Sequence, residues 1–228
     1  MHKSLKLNAR DRDVLSRSRL LASLDPRLQR RMLDSAVVTA HPNREILIEM
    51  DSRPQEFFVV LSGHVRLYRL EKDRREADIA VYGAGDVFAE CAMFLDECYP
   101  FQVQAAEATT LARFDGEKIR PMLVEEPALA LSLMRIMAFH AMDARLSVAN
   151  DRLHTAPQRV AKYLLELWHA HGGPGNAFKL PFQKSLLAGK LGLAPEALSR
   201  AFSMLRKTGV SIRGRMVQIT DAEALKNF

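Results

Sequence analysis

Glu196, Ser199 and Arg200 stand at positions i, i+3 and i+4, a spacing that gathers three side chains on one face of a helix. The chemistry this set offers is hydrogen bonding to the edges of nucleobases. An arginine fork matches the N7 and O6 acceptors of guanine, a glutamate accepts from the cytosine amino group, and a serine hydroxyl adapts to either. One bidentate arginine–guanine pair discriminates by about 1–3 kcal/mol. The same triplet would be ordinary on any solvated helix, so its meaning rests on the elements that carry it.

Those elements are legible. Pro195 is suited to the first turn of a helix running to about Lys207, with Leu198, Phe202 and Leu205 turned inward. Before it, Lys184 to Leu191 groups Leu186, Leu187 and Leu191 on one side of a shorter helix, and Gly192 supplies the freedom for a corner. Two such helices about a tight turn form a helix-turn-helix. Val210 to Thr220 reads as two short strands around Arg213-Gly214-Arg215, a basic-tipped wing. Lys184, Ser185, Arg206, Lys207, Arg213 and Arg215 are the expected phosphate contacts. From Thr155 to Phe228 there are 11 Lys+Arg and 4 Asp+Glu, a net of +7, which leaves −1 of the total +6 for residues 1–154. A basic module attached to a neutral one is the footprint of polyanion binding.

The remaining chain supplies a scaffold. Residues 1–20 read as a loose polar arm, and Asp25-Pro26 starts a short helix around Leu28 to Ser35. Glu45 to Met50, Phe57 to Leu61, Val65 to Leu70, Ala77 to Tyr82 and Thr110 to Phe114 are short strand candidates separated by turn signals. Such spacing predicts a compact antiparallel barrel or jelly roll. After Pro127 the chain runs to Leu153 without glycine or proline. Within it Ala130, Met134, Met137, Ala141, Ala144 and Val148 recur at alternating spacings of four and three, the pattern of a dimer seam. Thr155-Ala156-Pro157 marks a hinge, Arg159 to His171 a further amphipathic helix, and Gly172-Gly173-Pro174-Gly175 its stop. The fold class is therefore α+β, with a compact antiparallel β-roll or jelly roll at 1–125, a dimerisation helix and hinge at 126–154, and a winged helix-turn-helix at 155–228. No apolar run reaches the ~18 residues of a membrane span, so the expected compartment is the cytoplasm. Two cysteines, Cys91 and Cys98, provide no disulfide framework. With no cation flanking them, they read as inert thiols rather than a redox switch. No nucleophile, base or metal set points to an enzyme.

The stretch RVAKYLLEL, then KSLLAGKLGLAPEALSRAFSMLRKTGV and the wing, resembles the winged helix of the CRP/FNR transcription regulators. Glu196-x-x-Ser199-Arg200 resembles the E-x-x-S-R signature of the FNR-type branch, whose members read TTGAT-like half-sites. LSGHVRLYR and GAGDVFAE resemble hairpin segments of that family's β-roll, so the likeness extends over nearly the whole chain. It implies a homodimer that binds double-stranded DNA, works with RNA polymerase as an activator, and responds to an effector in the roll.

For the effector, the resemblance excludes more than it supplies. Family members that bind cyclic AMP grip its phosphate with an Arg-Ser pair after a GEL-like turn. Here Phe88-Ala89-Glu90-Cys91-Ala92 retains the glutamate, Tyr99-Pro100 replaces the pair, and Ala144-Arg145 replaces the Thr-Ser of the long helix. No Lys, Arg or His occurs between Arg75 and Arg113, which leaves a phosphate without a cation. Two cysteines also fall short of the four an iron–sulfur cluster requires. Phe88-Ala89-Glu90 with Met93-Phe94 and Asp96 resembles the nitric-oxide-responsive DNR/NnrR branch, which implies haem b. The expected pocket is Phe88, Glu90, Met93, Tyr99 and Phe101, facing Met134, Met137 and His140, with His140 as candidate axial ligand. The alternatives are a cyclic-nucleotide-responsive or ligand-independent member of the same family, and a haem or redox protein whose winged helix docks another protein.

Overall fold

The longest apolar strand candidate, Phe57 to Leu61, does not alternate with polar residues, and the architecture explains why. In the computed structural model, which describes residues 5–73, 75–95, 98–173 and 177–228, that strand is buried on both faces. The chain forms two compact units that divide between Asp143 and Ala144.

The first unit contains helices α1 (Ala9–Arg17) and α2 (Pro26–Ser35), then strands β1 (Val37–His41), β2 (Ile46–Ile48), β3 (Glu56–Ser62), β4 (Val65–Leu70), β5 (Glu76–Tyr82) and β6 (Val87–Phe88). A 3₁₀ turn at Glu90–Phe94 leads to β7 (Gln102–Ala105), β8 (Thr109–Asp115), α3 (Gly116–Glu125) and the long helix α4 (Pro127–Leu153). The strands make two antiparallel four-stranded sheets, ordered β1-β8-β3-β6 and β2-β7-β4-β5. Between them lies one core, built from Phe58, Val60, Phe88 and Leu111 of the first sheet and Ile48, Val65, Leu67 and Val103 of the second. The other face of the first sheet, with Phe57, Val59, Leu61 and Phe114, is covered by Leu15, Leu28, Met32, Ile119, Leu129, Leu133 and Ile136 from the helices. Alternate side chains of β3 therefore enter two different cores, and each needs to be apolar.

The turn from β3 to β4 requires glycine. Gly63 has φ +79°, and a Cβ there would sit 2.5 Å from the Ala108 carbonyl oxygen. Asp25 caps α2 as expected, accepting from the backbone N–H groups of Arg27 at 2.8 Å and Leu28 at 2.9 Å.

Some expectations are corrected. The arm is not loose: Asn8 caps α1 by accepting from the Asp11 N–H at 2.9 Å, and Leu15 is fully buried. One buried leucine in a helix of otherwise polar residues gives little periodicity to read. β1, β6 and β7, of five, two and four residues, pass unnoticed in the sequence. α3 is masked by Gly116 and the internal Pro121. Nor is α4 a body of its own: Leu129, Leu133 and Ile136 are buried in the first unit, and residues from Ala144 onward belong to the second.

The second unit continues with α5 (Ala156–Ala170), β9 (Phe178–Lys179), α6 (Lys184–Lys190), α7 (Pro195–Leu205), β10 (Val210–Arg213), β11 (Met216–Ile219) and α8 (Ala222–Lys226). Its sheet runs β10-β11-β9. Gly172 and Gly173, at φ 94° and 74°, end the helical path after α5; Pro174 and Gly175 lie outside the described residues.

Phe57 and Phe114 pair across β3 and β8 with ring centroids 4.8 Å apart. Phe114→Ala should cost about 3–5 kcal/mol, read as a lower denaturant midpoint with an unchanged slope.

Candidate nucleic-acid interface and the interior of the roll

α7 owes its orientation to its apolar side. Leu198, Ala201, Phe202 and Leu205 are buried, and Pro195 sits in the first turn, where its missing N–H costs nothing. Glu196, Ser199 and Arg200 consequently emerge on the opposite side, all three exposed. Ser203 and Lys207 follow on the same face and are also exposed. Ser203 was not singled out by sequence, although the i, i+4 step from Ser199 is the signal for it. Its hydroxyl donates to the Ser199 carbonyl at 3.0 Å.

α6 buries Leu187, Ala188 and Gly189, and the corner closes where the Leu193 N–H donates to the Ala188 carbonyl at 2.9 Å. Lys184, Ser185, Arg206, Lys207 and Arg213 are exposed, Lys184 with its ammonium 5.5 Å from the centre of the Phe202 ring. Lys190, which the sequence reading passed over, is exposed too. Arg215 is a correction. Its guanidinium donates to the Leu180 carbonyl through Nε at 2.9 Å and Nη2 at 2.7 Å, and to the Pro181 carbonyl. It ties the wing to the segment after β9 and is committed there, while Arg213 at the tip points to solvent.

On α4, the residues of the expected seam are uncovered or partly so. Met134 is 55% and Val148 50% exposed, Ala141 and Ala144 are exposed, and Ala130 and Met137 are half-buried. A second exposed apolar stripe, Phe139, Met142, Leu146 and Leu153, repeats at three, four and seven residues. It escaped the sequence reading because the first register already accounted for the helix.

The eight expected pocket residues divide between the two cores of the first unit and the surface of α4. Phe88 and Tyr99 are packed in the core between the sheets, with Phe101 against it. Phe88 stacks on Phe58 at 5.0 Å and on Tyr82 at 5.7 Å. Met93 belongs to the other core, beneath the helices. Met134 lies about 120° around the helix from His140 at 100° per residue. Tyr99 and Phe101 meet edge-on at 5.8 Å, and Glu90 meets His140: the His140 Nδ1 is 2.8 Å from a Glu90 carboxylate oxygen, and Glu90 is only 3% exposed. Tyr82 flanks the imidazole at 5.6 Å and Phe139 at 5.9 Å. An imidazole oriented by a carboxylate is typical of a metal ligand. Tyr82 beside it is itself stacked on Phe88, and Tyr99 lies in the same core as Phe88, so these aromatic residues, expected to line a haem, are packed within the roll. Burial, and then the neighbouring Glu90, push the Cys91 thiol up to about 11, which keeps it protonated and unreactive at neutral pH. Cys98 is exposed. Among the described residues no group of three or more His, Cys, Asp or Glu is placed to hold a metal ion, and no helix is long and apolar enough to cross a membrane.

Comparison with known proteins agrees with this geometry. Residues 38–126 match the cyclic nucleotide-binding domain and residues 158–228 the Crp-like helix-turn-helix domain. The nitrogen fixation regulation protein FixK of Rhizobium meliloti is 30% identical over 194 residues, covering 84% of this chain and 86% of that protein. The transcriptional activator protein FnrA of Stutzerimonas stutzeri is 29% identical over 199 residues, covering 85% and 81%. The fold matches that of FixK2 from Bradyrhizobium japonicum with a TM-score of 0.72 at 24% identity, over 84% of this chain and 96% of that one. A roll of the cyclic nucleotide-binding type, followed by a long helix and a Crp-like helix-turn-helix, makes this chain a member of the CRP/FNR family of DNA-binding transcription regulators.

Proposed function

We propose that the protein is a homodimeric activator that reads a palindromic, TTGAT-type site and acts with RNA polymerase. The observation that carries the reading is the exposure of Glu196, Ser199 and Arg200 together on the first turns of α7, where a recognition helix meets base edges. Lys184, Ser185, Arg206, Lys207 and Arg213 supply the phosphate contacts around them. The seam Ala130, Met134, Met137, Ala141, Ala144 and Val148 pairs two copies, which sets two reading helices one DNA turn, about 34–36 Å, apart. Exposure of every residue from 141 to 148 on their own chain supports a second chain as their cover.

For control of DNA binding, the Glu90–His140 pair favours a ligand-independent regulator over the DNR/NnrR-like, haem-dependent one. The glutamate that the family's ligand turn retains already has a partner from α4, and burial of an unpaired carboxylate would be costly. Haem b with nitric oxide remains the competing proposal. It requires a rearranged roll.

Three measurements test these readings. In binding-site selection, Arg200→Ala should lose about 1–3 kcal/mol of preference at one guanine per half-site and leave other positions alone. Unchanged preference there would sink the assignment of Arg200. Lys207→Ala should weaken all duplexes alike and reduce the slope of log affinity against log salt by about one. Purified protein free of additives should bind site DNA, and haem reconstitution should give no stoichiometric absorption band. A band that shifts with nitric oxide and is needed for DNA binding would restore the haem reading.

A further inference from the structure

The last carbonyl groups of a helix have no partner inside it. At the end of α6 the Leu191 carbonyl, which opens the turn of the helix-turn-helix, is taken by Arg159 of α5, whose Nη1 donates at 3.0 Å. The same nitrogen is ion-paired with Asp151 near the end of α4, so its two hydrogens serve two different elements. Gly192 lies against this junction in the left-handed region at φ +59°. A Cβ there would meet the Arg159 Nη1 and an Asp151 carboxylate oxygen, each at 3.5 Å. A second tie runs alongside: Lys162 Nζ is 3.3 Å from the Asn150 side-chain oxygen. The bend between α4 and α5 is held by Thr155, whose N–H donates to the Gln158 side chain at 3.0 Å.

Every residue in this junction belongs to the second unit, as do Ala144 and Val148 of the seam. Arg159 has only 15% of its side chain exposed and its charge is matched by Asp151, which makes it a poor phosphate contact in spite of lying in the basic module. It is instead a side chain that bonds both to the end of the seam-bearing helix and to the corner from which α7 springs.

We propose that Arg159 is a positioning residue that sets the pitch of the reading helix against the dimer helix, and so the half-site separation that the dimer accepts. Asp151 and the Leu191 carbonyl are its two anchors. The proposal rests on the dimeric reading above. A lysine keeps the charge but lacks the planar guanidinium that reaches both anchors, and Asp151→Asn weakens one anchor while leaving the other.

The test uses the full-length protein and fluorescence anisotropy on three duplexes: a selected palindrome, the same palindrome with one base pair inserted at its centre, and a single half-site. The insertion moves one half-site by about 3.4 Å and turns it by about 34°. Wild type should prefer the parent palindrome to the inserted one. Arg159→Ala and Arg159→Lys should cut that preference by about tenfold, the effect of one lost charged hydrogen bond, with half-site affinity within about twofold. Asp151→Asn should give a smaller cut in the same direction, and a thermal melt checks that each variant is folded. Folded variants that keep the wild-type spacing preference would overturn the proposal. So would a half-site affinity that falls in step with the palindrome, because Arg159 would then support the reading helix itself. If wild type binds the half-site and the palindrome equally well, the dimeric reading fails and takes the proposal with it.

Discussion

Burial of Leu198, Ala201, Phe202 and Leu205 is the constraint on which DNA reading by this protein depends. These side chains commit one side of α7 to the interior of the second unit, and the polar residues are presented because they have nowhere else to go. An eleven-residue helix is too short to be stable alone in water, so the hydrophobic contact that holds it is also what aims it. The wing follows the same logic. Arg215 commits its guanidinium donors to two carbonyls, and the hairpin so fixed leaves Arg213 exposed at its tip.

α7 and α6 were legible in the sequence because their signals are local: a proline at a helix start, a glycine at a corner, apolar residues at helical spacing. β3, β4, β5 and β8 were legible for a similar reason, as runs of β-branched and aromatic residues bounded by turns. β1, β6 and β7 were not. β6 is only Val87 and Phe88, and it is a strand because Phe58 and Val59 of β3 are there to pair with it, which a local reading has no means to register. The double burial of β3 was visible as a continuous apolar run, but its cause, helices over the outer face of the sheet, depends on α1, whose sequence is mostly polar.

The pocket shows the limit of the same method. Aromatic residues clustered in sequence around Glu90 suggested a ligand wall, yet composition cannot separate a cavity lining from a core. Phe88 and Tyr99 lie between two sheets whose side chains meet, and Met93 falls in the other core. The sequence did pick out His140 and Glu90, and they meet; what it left unread was that the partner of each would be the other. Fifty residues separate them, and only the packing of α4 on the first sheet through Leu129, Leu133 and Ile136 brings them together.

Glu196 stands apart in the basic module. Placed in the first turn of α7, its carboxylate is favoured by the helix dipole, but near duplex DNA it faces phosphates of its own sign. Within about 8 Å, the screening length at physiological salt, that repulsion opposes binding at every sequence. In the proposed reading it is relieved only where a cytosine amino group is presented to the carboxylate. A residue that lowers affinity everywhere and restores it at one base contributes discrimination rather than strength. The exposed cations around it, Lys184, Arg206, Lys207 and Arg213, provide the nonspecific attraction against which such discrimination can operate. In that reading net charge and base reading are separate functions of one surface, and the excess of 11 Lys+Arg over 4 Asp+Glu in this region lets an acid sit at its centre.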